Sequence, residues 1–404
     1  MNTLRNASLT LAVGVALGGA TAARADALWE FTPTIEAGYL YDDNYRLTQP
    51  GTEISVNGPL LDAALEMRTL TQTGEFSFAP RVRATYFADE PDLDSVDYFG
   101  TMDWQRNGQR VNTRLRADFA EQDVINSERP DAGIDTGLGE PVFGDAGRIL
   151  VKNRRTRYGV RPSVNWEINQ RNQFEIDASY ADVSFDRAIT DAQVGFDMSE
   201  ITAGVRTRIN ERTTISTKLR GGYYDIQFRD VTTAYGAELQ WDTRTARDTR
   251  TFFRVGAQNV ELPDGDNNVA WLAGAGVSLL LGRNELFTDI SRSVGPSSAG
   301  VVVARDQLRL RLVRTMTPRL NLVVGVRGTH DDDVDDTSTY VPRSYATADF
   351  GVEWRWQEEW SVRLAGDYTW QKFDNPGGAT DADSTGVMAS VIYQPLQRSR
   401  ARND

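Results

Sequence analysis

The chain has 404 residues, with 44 Lys and Arg against 57 Asp and Glu, a formal net charge of −13, 40% hydrophobic residues, no Cys and a single His. Without cysteine there can be no disulfide framework, thiolate zinc site, iron–sulfur cluster or covalent haem attachment, and one histidine builds no imidazole metal cluster. The acidic balance argues against a nucleic-acid partner. Past the N-terminal segment the longest apolar stretches, Leu279-Leu280-Leu281 and Val301-Val302-Val303-Ala304, fall far short of the roughly 20 residues of a transmembrane helix.

Residues 1–25 read as a secretory signal, with Arg5 near the start, an apolar stretch from Leu9 to Leu17 and small residues ending in Ala23-Arg24-Ala25. Its removal would leave 42 basic against 57 acidic side chains, a charge of −15. From Trp29 to Tyr393 no helical period is sustained. Period-two alternation recurs instead, in segments such as Phe76–Tyr86, Val111–Phe119, Tyr158–Ile168, Ile201–Ile209, Leu320–Val326, Ala346–Trp356 and Trp360–Trp370. In Val111–Phe119, for example, Leu115 falls on the apolar face and Arg116 on the other. Eighteen such segments can be counted, and their more apolar parity carries no Asp, Glu, Lys or Arg.

The connectors alternate as well. Short polar turns such as Gln72-Thr73-Gly74 and Gly282-Arg283-Asn284 take turns with mostly longer stretches rich in Asp, Pro and Gly, such as 42–56, 123–155, 262–268, 331–343 and 373–383. This pattern predicts an all-β chain folded as an up-and-down antiparallel transmembrane β-barrel of about 18 strands, spanning residues 26–393 and followed by a polar tail, 394–404. Aromatic residues mark both rims of the apolar face. Phe76, Trp104, Trp166, Trp241, Trp354, Trp356 and Trp360 lie near the short turns, and Tyr39, Tyr86, Tyr98, Tyr158, Tyr180, Tyr223, Tyr235 and Tyr368 near the loops. Phe76 and Tyr86 are about 33 Å apart along a strand, or roughly 25 Å in height once tilt is included, which suits an outer-membrane band. Pro80 and Pro162 fall on that face in mid-strand, where a bulge is the expected accommodation.

The polar parity would line a lumen. Its basic members include Arg81, Arg83, Arg114, Arg116, Arg161, Arg206, Arg208, Lys218, Arg220, Arg309 and Arg311, and its acidic members include Glu175, Asp177, Glu238 and Asp289. The arginines form either a cationic track for an anionic solute or polymer, or cross-strand ion pairs that stiffen the wall. By neighbourhood, Arg81 and Arg83 should meet Asp97 and Asp103, and Arg309 and Arg311 should meet Asp289. The longest connector, 123–155, has the glycine content of a segment that folds into a pore.

No cofactor or metal site is expected. The acidic run 331–336 reads as a solvated loop, or one bridged to lipopolysaccharide by divalent cations. Asp264, Asp266 and Asn268 copy the first ligands of an EF-hand loop, but Val269 and Ala275 stand where that loop needs Gly and Glu. His330 beside Asp331 is the one acid/base candidate, and there is no Gly-x-Ser-x-Gly motif. A non-enzyme is expected.

Tyr41-Asp42-Asp43-Asn44 with Leu47 closing the first strand, the Pro80 and Pro162 strand pattern, and Asp97-Tyr98-Phe99 opening a strand together resemble a Gram-negative family of outer-membrane β-barrel proteins. Members of that family occur with exopolysaccharide synthesis and export loci. The resemblance implies an outer-membrane channel for a secreted polysaccharide, with the barrel assembly machinery, lipopolysaccharide and a periplasmic export component as partners. Two alternatives stand beside it: a general or anion-preferring diffusion porin, and a plugged surface-structural or adhesion barrel. Barrels of this kind commonly end on an aromatic residue, whereas here Tyr393 is followed by Gln394 to Asp404.

Overall fold

A computed structural model describes residues 28–128, 152–189, 193–263, 265–334, 340–375 and 379–395. The leader, most of the 123–155 connector, Asp264, the end of the acidic run and the tail beyond Pro395 lie outside the described residues.

Eighteen strands follow one another around the wall. They are β1 (Leu28–Asp42), β2 (Val56–Leu70), β3 (Gly74–Thr85), β4 (Ser95–Asn107), β5 (Val111–Asp123), β6 (Arg154–Glu167), β7 (Asn172–Phe185), β8 (Phe196–Arg208) and β9 (Thr213–Ile226). The second half comprises β10 (Thr232–Ala246), β11 (Thr249–Glu261), β12 (Asn267–Leu281), β13 (Asn284–Pro296), β14 (Val302–Thr317), β15 (Leu320–Asp333), β16 (Arg343–Arg355), β17 (Trp360–Phe373) and β18 (Thr380–Tyr393). Each pairs antiparallel with the next, and β18 pairs with β1, so the sheet closes into a single 18-stranded barrel. One short helix, α1 (Val124–Glu128), follows β5. Among the described residues no helix is long and apolar enough to cross a membrane.

Alternation places the apolar parity outward. Along β18 every second residue from Ala382 to Ile392 is buried and its neighbours are exposed. The outward surface exposes Ile201, Leu219, Leu239, Phe253, Val255, Ile290, Leu308, Phe350 and Leu364. So large an exposed apolar band is matched by hydrocarbon and not by water. The rims carry the expected aromatics: Trp166, Trp241, Trp354 and Trp360 are exposed at the turn end, and Tyr86, Tyr98, Tyr158 and Tyr223 at the loop end. Trp104 pairs with Phe76 in the turn-side row. The structure adds Trp29 and Phe31, stacked at 6.2 Å, to that side.

The two prolines do not form bulges. On β3, pairing with β2 lapses between Arg81 and Phe78 and resumes in the same register. Pro162 produces the same gap between Val160 and Ser163 against β7. A missing N–H removes bonds on one edge, while the turns and the apolar alternation pin the register on either side. The other edges of both strands pair without interruption through each proline.

The closing seam is short. β1 pairs with β2 along its whole length, but with β18 only from Ile35 to Asp42. Across it, fully buried Glu36 accepts the Ser390 hydroxyl at 2.5 Å and Arg363 of β17 at 3.2 Å.

Candidate functional site in the barrel lumen

The parity that sends Leu and Val outward sends the charged residues inward, where cross-strand distances are short enough for ion pairs. Asp62 of β2, with no solvent exposure, accepts Nε and Nη2 of Arg81 at 2.9 and 2.5 Å and Nε of Arg83 at 3.2 Å. Arg81 also lies 5.2 Å over the Phe99 ring. Both arginines therefore take their short contacts from the strand before theirs, not from Asp97 and Asp103 on the strand after. Those two acids have other work. Asp97 accepts the Asp123 backbone N–H at 3.0 Å and the Asn126 amide at 2.7 Å, and Asp103 holds both Arg114 and Arg116 of β5.

The pairing continues around the wall. Arg157 meets Asp118, and Glu175 takes Arg206 at 2.9 Å and Lys218 at 3.9 Å. Arg220 sits between Glu200 at 3.4 Å and Glu238 at 3.7 Å, and Arg309 meets Asp289 at 2.7 Å. Arg161, Asp177 and Arg311 face the same lumen through the register of β6, β7 and β14. Most of the cations singled out from the sequence thus share a carboxylate.

A different group stands apart. Among the described residues no carboxylate forms an ion pair with Arg208, Arg244, Arg250 or Arg254. All four have inward parity toward the turn end of β8, β10 and β11, and Arg250 faces Arg244 directly across the ladder. Arg208, Arg244 and Arg250 are exposed. Arg244, Arg250 and Arg254 were missed in the sequence, although they continue the inward parity of Gln240 and Asp242.

At the loop end, chain segments fold in over the mouth. The Tyr41-Asp42-Asp43-Asn44 segment with Leu47 is a latch. Asp42 accepts the Ser384 hydroxyl at 2.8 Å, and the Asn44 amide donates to the carbonyls of Thr48 at 2.8 Å and Asp383 at 2.9 Å. Leu47, held at φ 51°, packs with Tyr345 and Ala382 while its carbonyl accepts Gln371 at 2.9 Å. Tyr45 reaches the other way, bonding Asn126 at 2.5 Å and packing against Phe87 and Ile125 of α1.

The larger inward element is the tip of the β13–β14 hairpin. The β12–β13 ladder stops at Ala273 and Arg292, although both strands run further toward the loops. Beyond that point the hairpin leaves the wall and comes against β8 and β9, and Val194 N–H donates to Ser298 O at 2.8 Å. Val294, Val302 and Ala304 continue the outward parity of Ile290 and Leu308, yet they are buried against Val183, Phe196, Tyr224, Ile226, Ala234, Val260 and Leu272. The hairpin thus lies as an inner layer with its former outer face on the lumen wall. The run Val301-Val302-Val303-Ala304, apolar on both parities, was the signal for it, because a strand buried on both faces loses alternation. Of the connector expected to narrow the pore, 129–151 lie outside the described residues. Its start, α1, does pack inward through Val124 and Ile125.

His330 and Asp331 point to opposite sides of β15. Asp331 is buried inside and binds Arg305 at 2.6 Å, while exposed His330 meets Ser344 at 2.9 Å, so they form no acid/base pair. The acidic run begins as strand, not loop, through Asp333. Asn267 and Asn268 open β12, which precludes an EF-hand loop there. Among the described residues no group of three or more His, Asp or Glu is placed to hold a metal ion.

No family model and no curated protein matches the chain. Solved structures similar to it include Pseudomonas aeruginosa OpdQ, at 11% identity and TM-score 0.43, covering 91% of this chain and 98% of that one. P. aeruginosa OccK2 (OpdF) in complex with glucuronate has 12% identity and TM-score 0.42, covering 91% and 98%. The siderophore receptor PirA from P. aeruginosa has 9% identity and TM-score 0.41, covering 90% and 80%. The barrel itself is shown by the chain's own closed ladder.

Proposed function

We propose that the protein is a non-enzymatic diffusion channel of the Gram-negative outer membrane, with a preference for small anionic solutes. The observation that carries this reading is a closed ring of strands whose outward parity is apolar and whose inward parity is charged and hydrogen-bonded. Such a wall suits lipid outside and water inside. Anion preference is supported by the uncompensated Arg208, Arg244, Arg250 and Arg254 at the turn-end mouth, which concentrate anions there. Lipopolysaccharide and the assembly machinery are the partners that this location implies.

Export of an exopolysaccharide, which the family resemblance implies, is less well supported. A polymer track needs a row of free cations along the axis, and here most of the arginines above the turn-end mouth are held by carboxylates. The inserted β13–β14 tip also adds an inner layer to the wall beside that route. A plugged adhesion barrel would make that insertion permanent.

Reconstitution in planar bilayers separates these readings. Discrete conductance steps with a reversal potential displaced toward chloride are expected, and sustained silence would overturn the channel. Arg250→Glu should move the reversal potential toward cations without changing barrel stability. Val302→Asp places a charge in the apolar layer under the hairpin. It should release the tip and raise conductance severalfold, whereas unchanged conductance would mean that the tip does not narrow the pore.

A further inference from the structure

Charge is segregated along the barrel axis. At the loop end Asp182, Asp197 and Asp225 share one outward cross-strand row. At the turn end six of the eight turns place an arginine between their strands, namely Arg110, Arg171, Arg212, Arg247, Arg283 and Arg319, and all six are exposed. A basic rim on a chain of net charge −13 is not a product of composition.

Five of these arginines occupy one structural position. The carbonyls of Arg110, Arg171, Arg212, Arg283 and Arg319 accept the backbone N–H groups of Glu167, Arg208, Arg244, Thr315 and Arg355 at 2.7–2.9 Å, so each recurs at the same place in its turn. Side chains fix two of the turns further. The Asn169 oxygen accepts the N–H groups of Arg171 and Asn172, both at 2.9 Å, and Asn210 does the same for Arg212 and Thr213.

Three of the arginines follow an apolar residue that keeps the lipid-facing parity. Ile168 and Ile209 lie three residues before Arg171 and Arg212, Leu281 lies two before Arg283, and all three are exposed in line with Trp166, Val205 and Leu279. Among the described residues no carboxylate forms an ion pair with Arg171, Arg212 or Arg283. An apolar side chain with an uncompensated guanidinium just beyond it matches the order of acyl chain and phosphate across a lipid interface. A polymer or solute in the aqueous phase would engage the arginines and leave Ile168, Ile209 and Leu281 exposed to water.

We propose that the turn-end rim is a binding ring for the anionic phospholipid headgroups of the periplasmic leaflet. The guanidinium groups hold the phosphate by paired N–H donors, and the neighbouring apolar residues lie against the upper acyl chain. The aspartate row at the other end disfavours the same headgroups, so the preference belongs to one leaflet. The ring rests on the membrane-barrel reading and not on ion conduction.

Seven of the nine tryptophans lie toward the turns, so quenching of their fluorescence by bromine-labelled lipid reports mainly on that end. In phosphatidylcholine nanodiscs, brominated phosphatidylglycerol should associate about fivefold more strongly than brominated phosphatidylcholine. The ratio should fall toward unity in about 1 M salt. Replacing Arg171, Arg212 and Arg283 together by Gln should abolish most of the preference, and replacing them by Lys should retain part of it. Arg229→Gln, at an exposed loop-end arginine, should leave it unchanged. Equal quenching by both lipids, a preference indifferent to salt, or one that survives the triple Gln variant would overturn the proposal. Silence in planar bilayers with the lipid preference intact would overturn the channel and leave the ring standing.

Discussion

Asp62→Ala is expected to destabilise the barrel by about 3–5 kcal/mol, the range for breaking a buried ion pair from one side. Asp62 has no solvent exposure and Arg81 only 7%. Its carboxylate meets the Arg81 guanidinium along two bonds and reaches Arg83 with the same oxygen. Without it, two cations remain side by side on β3 beside the Phe99 ring and lose the carboxylate that both contact directly. Asp62→Asn, which keeps an acceptor but not the charge, should fall between the variant and the native chain. Denaturant unfolding followed by tryptophan fluorescence gives the comparison. A loss near the roughly 1 kcal/mol of exposed pairs would mean that water screens this part of the wall.

Leu219→Arg should cost about 2–4 kcal/mol, as for a cation placed on the lipid face near the midplane. Leu219 is 67% exposed and lies four residues from Tyr223 in the loop-side belt. It lies four residues on the other side from Ile215, which pairs with Trp241 of the turn-side belt. Thr251→Arg, also outward but beyond the Trp241 and Phe253 row, should cost about 0–1 kcal/mol because the charge reaches the interface. Equal penalties at both depths would remove the hydrocarbon band from its assigned height.

What the sequence revealed was governed by solvent contrast. Lipid on one face and water on the other impose a strict period of two, so the strands, their facing and the aromatic rims could be read from single residues such as Trp241 and Tyr223. Ion-pair partners could not, because an inward residue has neighbours on two strands and only the register decides between them. Arg81 could lean toward β2 or β4, and Asp97 was already committed to Asp123 and Asn126. A proline in mid-strand suggests a bulge from sequence alone, whereas here a gap in one ladder accommodates each missing N–H. The hairpin insertion leaves one trace in the sequence, apolar residues on both parities at 301–304, and so short a run does not tell an inner layer from any other buried segment.

The short junction of the first and last strands also determines where the cylinder comes apart. Every other neighbour in the ring is joined by a nearby turn or loop, but β1 and β18 are brought together by the whole intervening chain, the costliest closure available. They share eight cross-strand pairs, with Glu36 as the clasp. Deuterium should therefore enter first along Leu28–Thr34, the part of β1 that β18 does not pair. Unzipping from that line would leave the rest of the sheet a curled ribbon still bonded strand to strand.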